Sequence, residues 1–191
     1  MSSIITIKNM VCPRCIAAVG EIFNAEGLKI TNIELGFVEI EDDISKDQWL
    51  KIDEELNSQG FSRIDDKKSQ LLEQIKTKVI DLIHHQDQSA LNVNWSDVLA
   101  DHLNYDYHYL STLFSSVTGI TLEQFVIRQK IEKVKEFLIY DQLSVKEIAF
   151  KMGYSSVAHL SSQFKKVTGM TPSIFKSNHT NQDRKSLDNI L

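Results

Sequence analysis

The sequence predicts a two-part protein, with an α+β first third followed by an all-α remainder. Three observations support this division. Hydrophobic residues alternate with period two in several stretches of the first 66 residues, only helical patterns follow a polar hinge at residues 65–69, and a sixteen-residue pattern recurs fifty residues later in the helical part. A chain of 191 residues with 42% hydrophobic residues is long enough to bury two small cores.

The first part, residues 1–66, shows the element order βαββαβ. Ile5 and Ile7 alternate with polar residues as in a strand, and a helical stripe of apolar residues follows. Alternation returns on both sides of Gly36, which predicts a hairpin. A second helical stripe ends at Gly60, and a short strand comes last. This order is that of a ferredoxin-like sandwich, in which two helices cover one face of an antiparallel sheet.

The second part, residues 67–180, is predicted to be helical, with residues 181–191 as a polar tail. Its first helix is expected over about residues 69–85. The stretches LSTLFSSVTGITLEQF at 110–125 and LSSQFKKVTGMTPSIF at 160–175 repeat one pattern. Each copy follows a shorter apolar segment and a tight turn, which is the arrangement of a helix-turn-helix unit. The sequence therefore predicts a double helix-turn-helix domain.

The two reading helices of these units are expected over about residues 106–117 and 156–167. Their N-caps are predicted at Asp106 and at Ser155 or Ser156. The linking segment, residues 122–140, would form a helix of about 28 Å at 1.5 Å per residue. This length is close to the roughly 34 Å between successive major-groove faces. One monomer is thus expected to place both reading helices on one side of a duplex.

The net charge divides unevenly along the chain. It is −7 for residues 1–66, +2 for residues 67–191 and +4 for residues 144–191 alone. An acidic module joined to one that meets a polyanion fits this distribution. Because residues 67–141 carry eight basic and ten acidic groups, the first helix-turn-helix unit is expected to be the weaker DNA contact.

The stretch LSVKEIAFKMGYSSVAHLSSQFKKVTGMTPSIFK at 143–176 resembles the signature of the arabinose-regulator (AraC-type) family of bacterial transcription regulators, and the duplicated arrangement covers about residues 70–178. The resemblance implies sequence-specific binding of double-stranded DNA, with RNA polymerase as a further partner. The residues it assigns to the DNA contact are Tyr107, His108, Ser111, Thr112, Lys130, Ser156, Val157, His159, Ser162, Gln163, Lys165, Lys166 and Lys176. Thr112 and Ser162 stand where members often carry arginine, and Leu160 replaces a usual phenylalanine.

Both cysteines of the chain lie in the stretch NMVCPRCIAAV at 9–19, where the first strand meets the first helix. Such a loop can direct two sulfurs toward one point, and the helix N-terminus is expected to lower the thiol pKa values. Two thiolates alone satisfy Cu(I) in near-linear coordination, whereas Zn(II) would need further ligands that no nearby histidine supplies. A soft metal ion is therefore the expected ligand of Cys12 and Cys15.

Residues 4–65 also resemble a heavy-metal-associated domain, the ferredoxin-like module of copper chaperones and metal-transport ATPases. Met10, Cys12 and Cys15 match its Met-x-Cys-x-x-Cys loop. The resemblance implies that the two cysteines ligate metal, that Met10 packs beneath the loop and that Phe61 neighbours the site. Asn9 and Val11 stand where glycine and threonine are usual. Cu(I) is favoured as the metal, with Ag(I), Hg(II) and Zn(II) as alternatives.

Together the two resemblances predict a cytoplasmic, metal-responsive transcription regulator that is not an enzyme. The sequence contains no catalytic triad, phosphate loop or paired-carboxylate site, and no apolar run approaches the roughly 18 residues that span a bilayer. Metal is expected either to bridge two chains into a homodimer or to reorient the acidic module relative to the basic one.

Two alternatives remain. One is a metal-trafficking module whose helical part docks a protein, and the other is a thiol oxidoreductase. An oxidoreductase of the thioredoxin type would need a cis-proline facing the thiols, and the chain has only Pro13 and Pro172.

Overall fold

The computed structural model describes residues 3–41, 43–86, 94–140, 143–178, 187 and 190. The chain divides into two compact units, Met1–Asp81 and Leu82–Leu191. The sequence placed the boundary at residue 66, whereas the contacts of the following helix lie with the first unit. Of the predicted tail at 181–191, only residues 187 and 190 are among the described residues.

The first unit has the element order βαββαβ that the sequence predicts. Its elements are β1 Ser3–Lys8, α1 Pro13–Ala25, β2 Ile30–Glu34, β3 Phe37–Ile40, α2 Lys46–Ser58 and β4 Ser62–Ile64. The four strands form one sheet of order β2-β3-β1-β4, and every neighbouring pair is antiparallel. Ile5 of β1 pairs with Val38 of β3, and Lys8 pairs with Ser62 of β4.

The core of this unit forms between the sheet and helices α1 and α2. Ile7, Phe23 and Leu56 are fully buried in it. Helix α2 starts with a capping box, in which the Ser45 hydroxyl accepts the Gln48 N–H. The core residues come from the apolar stripes of the sequence, so burial of those stripes determines how the helices lie on the sheet.

Helix α3, Lys67–Ile80, follows β4 and is continued by a π-helical turn, Asp81–His85. The predicted helix over 69–85 is therefore present, with an irregular last turn. Within the first unit, Gln70 Nε2 donates to the Ile64 carbonyl at 2.8 Å. Thr77 lies against the β2–β3 turn, where a Cβ added to Gly36 would lie 3.0 Å from Thr77 Cγ2.

The second unit is helical throughout its described residues. Its elements are α4 Trp95–Leu103, α5 Tyr107–Thr118, α6 Leu122–Ile139, α7 Val145–Lys151, α8 Val157–Thr168 and α9 Pro172–Asn178. Helices α5 and α8 lie within one residue of the two predicted reading helices. Helix α6 agrees with the predicted linking segment.

Side-chain caps explain where these helices begin. Asp106 accepts the Tyr109 N–H at the start of α5, and Ser156 accepts the His159 N–H at the start of α8. Thr121 and Ser144 form capping boxes at the starts of α6 and α7. The predicted caps Asp106 and Ser156 are confirmed.

Each copy of the repeat closes on itself in the same way. Phe114 packs against Phe125 with ring centroids 5.2 Å apart, and Phe164 packs against Phe175 at 5.5 Å. After the reading helix, the Thr118 hydroxyl donates to the Phe114 carbonyl and accepts the Ile120 N–H. The second copy repeats both bonds from Thr168. The repeat in the sequence is therefore a repeat of structure.

In the described parts of the chain, no single helix is long and apolar enough to cross a membrane. Helices α5 and α6 meet the length and composition criteria only as a pair, and they are bent by 74°.

Substitution of Gly36 by alanine tests the contact with α3. Gly36 has φ +89, and Gly27 has φ +74 with open space where a Cβ would lie. Gly27→Ala is therefore expected to cost about 1 kcal/mol for backbone strain alone. Gly36→Ala is expected to cost about 1 kcal/mol more, because the methyl group collides with Thr77.

Urea denaturation followed by Trp49 fluorescence in a Trp95→Phe background measures this difference in the first unit. Adding Thr77→Ser, which removes Cγ2, is expected to recover part of the loss. Equal costs for the two glycine substitutions would show that the turn does not depend on Thr77.

His84, in the π-helical turn, gives the second unit a pH-dependent stability. Its Nε2 lies 3.0 Å from Gln129 Oε1, and burial, the largest cause, lowers its pKa from the ordinary 6.5 to about 4. Between these values the unfolded chain binds a proton that the folded chain excludes. Stability is therefore expected to fall as the pH drops from about 6.5 to about 4, by up to about 3 kcal/mol.

Chemical denaturation at a series of pH values, followed by Trp95 fluorescence in a Trp49→Phe background, measures this dependence. His84→Gln is the control, since its side chain cannot titrate. An identical pH profile for the two proteins would contradict the assignment.

Candidate DNA-reading face and thiol pair

Helix α8 exposes most of its predicted DNA-facing residues. At about 100° per residue, His159, Ser162, Lys165 and Lys166 lie opposite the buried side, whereas Val157 lies near it. Leu160 and Phe164 are fully buried and hold the buried side in the core. Ser156, Val157, His159, Ser162, Lys165 and Lys166 are exposed, and Gln163 is half-buried. Two lysines and several hydrogen-bonding side chains therefore share one accessible surface. Phosphates and base edges are the natural ligands of such a surface.

The His159 ring is fixed by two contacts at the start of α8. Its Nδ1 lies 3.1 Å from the Ser155 hydroxyl, and its ring meets the Tyr154 ring edge-on at 5.3 Å. A side chain held in this way loses little conformational freedom on binding.

Helix α5 presents a corresponding but uncharged face. His108 and Thr112 are exposed, while Tyr107 and Ser111 are half-buried. All four line one hollow of about 280 Å³ beside the start of α6. Burial first, and then the charge of Glu123, raise the pKa of the Tyr107 hydroxyl. Because Glu123 also lines the hollow, a phosphate would be disfavoured at this end of α5.

Lys130 points into the second unit and away from these faces. Its Nζ donates to the carbonyl of Met152, the last residue before the turn of the second helix-turn-helix, at 3.1 Å. It also lies 5.8 Å from the centre of the Tyr154 ring. Burial lowers the pKa of its ammonium group. Lys130 thus holds the backbone just before the turn ahead of α8, and its predicted DNA contact stays a prediction.

Lys176 lies in the last turn of α9 and is half-buried. It is separate in sequence from the α8 face, and its predicted phosphate contact stays a prediction.

The two thiols lie where the strand and helix of the first unit meet, as predicted. Cys12 is the N-cap of α1, Pro13 is the first helical residue, and the Cys15 N–H donates to the Cys12 carbonyl at 2.9 Å. The two Sγ atoms are 3.1 Å apart, and both cysteines are half-buried. One soft ion could therefore meet both sulfurs.

The acidity of Cys15 differs from the expectation. Burial, followed by the hydrogen bond with Cys12, raises the pKa of the Cys15 thiol, and these outweigh the backbone N–H groups that lower it. The prediction that the helix N-terminus lowers the thiol pKa is therefore wrong for Cys15. Removal of the thiolate from water destabilises it more than the helix N-terminus stabilises it.

The thiols lie beside the apolar core of the first unit. Met10 and Phe61 are buried in the core of the first unit, and Cys15 packs against that core. In the residues that the structure describes, no group of three or more histidine, cysteine or carboxylate side chains is arranged to hold a metal. The thiol pair thus fits an ion that accepts two sulfur ligands.

Asn9, at the start of the loop, has a left-handed backbone conformation. Its φ is +70, a region that asparagine enters more readily than other residues with a side chain. Its side-chain amide donates to the Gly60 carbonyl at 2.9 Å, and its N–H donates to Glu73 Oε1 at 3.0 Å. The loop is therefore fixed on the strand side of Cys12.

Comparison with known proteins concerns the second unit. Residues 99–178 match the family model described as "Helix-turn-helix domain". The chain is 28% identical over 130 residues to YtdP, an uncharacterized HTH-type transcriptional regulator of Bacillus subtilis, covering 68% of this chain and 16% of that protein. It is 30% identical over 104 residues to the transposon Tn10 TetD protein of Escherichia coli, covering 54% of this chain and 72% of that protein.

The chain belongs to the AraC-type helix-turn-helix family. It spans only a sixth of the length of YtdP. Among solved structures, it is similar to the C-terminal domain of AraT, a response regulator of Geobacillus stearothermophilus, with a TM-score of 0.49 and 21% identity over 63% of this chain and 95% of that one. The matched family model begins at residue 99, so the sheet unit lies outside it.

Two residues near the reading faces were missed by the sequence patterns: Tyr109, which is exposed, and Arg128, which is half-buried. The repeat, extended one residue toward the N-terminus, aligns Tyr109 of α5 with His159 of α8. Tyr109 is 45% exposed and stacks on Tyr105 with ring centroids 5.6 Å apart. Arg128 of α6 lines the same groove as Gln163 and Lys166. Alignment of the extended repeat would have identified Tyr109. The position of Arg128 beside α8 can be recognised only in the folded structure.

Comparison of Lys130 with Lys166 tests which lysine of this AraC-type domain meets phosphate. Lys166→Gln is expected to reduce the slope of log Kd against log salt concentration by about one, because one phosphate contact is lost. Lys130→Met is expected to leave that slope unchanged and to lower the free energy of unfolding by about 1–2 kcal/mol.

Fluorescence anisotropy with a labelled duplex gives the slopes, and urea denaturation gives the stabilities. A reduced slope for Lys130→Met at unchanged stability would confirm the DNA contact predicted for Lys130.

Proposed function

We propose that this chain is a transcription regulator that binds double-stranded DNA through α5 and α8 and responds to a soft metal ion held by Cys12 and Cys15. The observation that carries the DNA part is the exposed polar face of α8 within an AraC-type domain. The YtdP relative is described as a transcriptional regulator and not as an enzyme, in line with the lack of catalytic motifs in the sequence.

The two reading helices contribute unequally to DNA affinity in this proposal. Lys165 and Lys166 neutralise phosphates and supply most of the salt-dependent affinity. His159, Ser162 and Gln163 meet base edges, which carry sequence information. Val157 suits the methyl group of a thymine. Helix α5 brings no lysine or arginine, so it adds specificity and little affinity.

The metal part of the proposal rests on the thiol pair and on the topology around it. The sheet order β2-β3-β1-β4 with two covering helices supports a ferredoxin-like module of the heavy-metal-associated type. A bound Cu(I) would link the two sulfurs and replace their protons. No peptide bond among the described residues is cis, which disfavours the alternative of a thioredoxin-type oxidoreductase, since that class places a cis-proline against its thiols.

Two modes of response are open to experiment. Metal shared between the thiol pairs of two chains would create a dimer and raise DNA affinity through two tethered contacts. Metal held within one chain would act through that chain alone. Sedimentation with and without Cu(I) distinguishes the two modes, since only bridging doubles the mass of the sedimenting species.

The decisive test measures the DNA affinity of the reduced protein under anaerobic conditions, with and without one equivalent of Cu(I). The labelled duplex is the region upstream of the protein's own gene, and the control is Cys12→Ser/Cys15→Ser. A change of about 5- to 150-fold, corresponding to a coupling of 1–3 kcal/mol, is expected for the wild type and is expected to vanish in the control.

The two parts of the proposal fail separately in this experiment. Binding that ignores Cu(I) would remove the metal response and leave the DNA reader. Absence of saturable binding to any duplex, with Cu(I) bound at the thiols, would favour the metal-trafficking alternative.

A further inference from the structure

Helix α3 carries a carboxylate that is buried against the loop of the thiol pair. Glu73 is 5% exposed, and its Oε1 accepts the N–H of Asn9 at 3.0 Å across 64 residues of sequence. Its Oε2 lies 3.7 Å from Lys76 Nζ. A hydrogen bond to a charged acceptor is roughly twice as strong as a neutral one. The Glu73 carboxylate therefore holds the backbone three residues before Cys12.

The segment that Glu73 holds has little freedom to move by itself. Asn9 is in the left-handed region and is also tied to Gly60, and the next residue, Met10, is fully buried. A displacement of the loop would therefore act on the hydrogen bond to Glu73.

The thiols are placed so that a bound ion would displace this loop. Their sulfurs lie 3.1 Å apart and share a hydrogen bond. A metal ion bound by both sulfurs would be larger than the proton that they share, so the two sulfurs would have to move apart. Helix α1 behind Cys15 is anchored by the fully buried Val19 and Phe23. On the strand side of Cys12, Asn9 is held by two hydrogen bonds, so a displacement of the loop would act on those bonds.

Two other contacts of α3 do not involve this loop. Gln70 donates to the carbonyl of Ile64 on β4, and Thr77 lies against Gly36 in the β2–β3 turn. Residues 70, 73 and 77 are spaced at three and four positions and so share one face of the helix. Glu73, between them, is the contact that changes when the loop changes.

We propose that Glu73 is a positioning residue for the thiol pair: it holds the loop and passes a change at the thiols into α3. Helix α3 runs into the π-helical turn Asp81–His85, an irregularity that is frequent at functional sites. The proposal rests on the metal response proposed above. Because coupling is reciprocal, loss of the Glu73 contact alters the effect of Cu(I) on DNA binding and of DNA on Cu(I) binding equally.

The test uses the full chain and four variants. Glu73→Leu keeps volume and removes the acceptor, whereas Glu73→Gln keeps an acceptor oxygen without charge. Asn9→Gly keeps the N–H but frees the loop, and it serves if the leucine variant fails to fold. Gln70→Ala is the matched control, since it removes a side-chain to backbone bond of α3 that does not reach the loop.

Two quantities are measured anaerobically for each protein. Competition with a chromophoric Cu(I) chelator gives the Cu(I) affinity, and fluorescence anisotropy gives the ratio of DNA Kd values without and with Cu(I). Wild type and Gln70→Ala are expected to show the same ratio. Glu73→Leu is expected to bind both Cu(I) and DNA, with a ratio of DNA Kd values within twofold of one. Asn9→Gly is expected to show a ratio smaller than that of the wild type. Glu73→Gln is expected to recover at least half of the wild-type logarithm of this ratio.

A wild-type ratio in the folded Glu73→Leu variant, or in Asn9→Gly if the former does not fold, overturns the role of Glu73 and leaves the metal response intact. A wild-type protein whose DNA affinity ignores Cu(I) overturns the metal response itself, and this proposal with it. The wild-type arm thus separates the two failures.

Discussion

The contact between two phenylalanine rings in each repeat is the constraint on which the reading faces depend. Phe114 and Phe164 lie on the inner sides of α5 and α8, and each packs against a ring from the helix that follows. Because these rings are buried, rotation of either reading helix would expose apolar area at a cost of roughly 25 cal/mol per Å². The exposed polar residues therefore project in fixed directions, as recognition of base edges requires.

The first unit applies a different constraint to its two thiols. One side of the loop continues into α1, whose apolar residues are buried. The other side is held by the hydrogen bonds that Asn9 donates to Glu73 and to the Gly60 carbonyl. The loop that carries the thiols is thus held on both sides, and Cys15 also packs against the core. A change at the thiols would therefore act on the residues that hold the loop as well as on the thiols themselves.

Patterns that repeat over short distances predicted most of the fold. Period-two alternation located the strands, the apolar stripes located the helices, and short-range caps such as Asp106 and Ser156 fixed helix starts to within a residue. Features that depend on burial or on distant partners were beyond such patterns. The roles of Lys130 and Glu73 arise from partners 22 and 64 residues away, and the raised pKa of Cys15 follows from packing that no local spacing encodes.

The threonine bonds that close each reading helix lie within a single copy of the repeat. Thr118 and Thr168 satisfy the backbone at the end of their own helix with atoms of their own copy, so neither turn relies on the other. Mutations on the outer side of one helix can then accumulate without disturbing its sister. Such a duplicated scaffold permits divergence one half-site at a time, which explains how α8 can carry two lysines while α5 carries none on an otherwise matching frame.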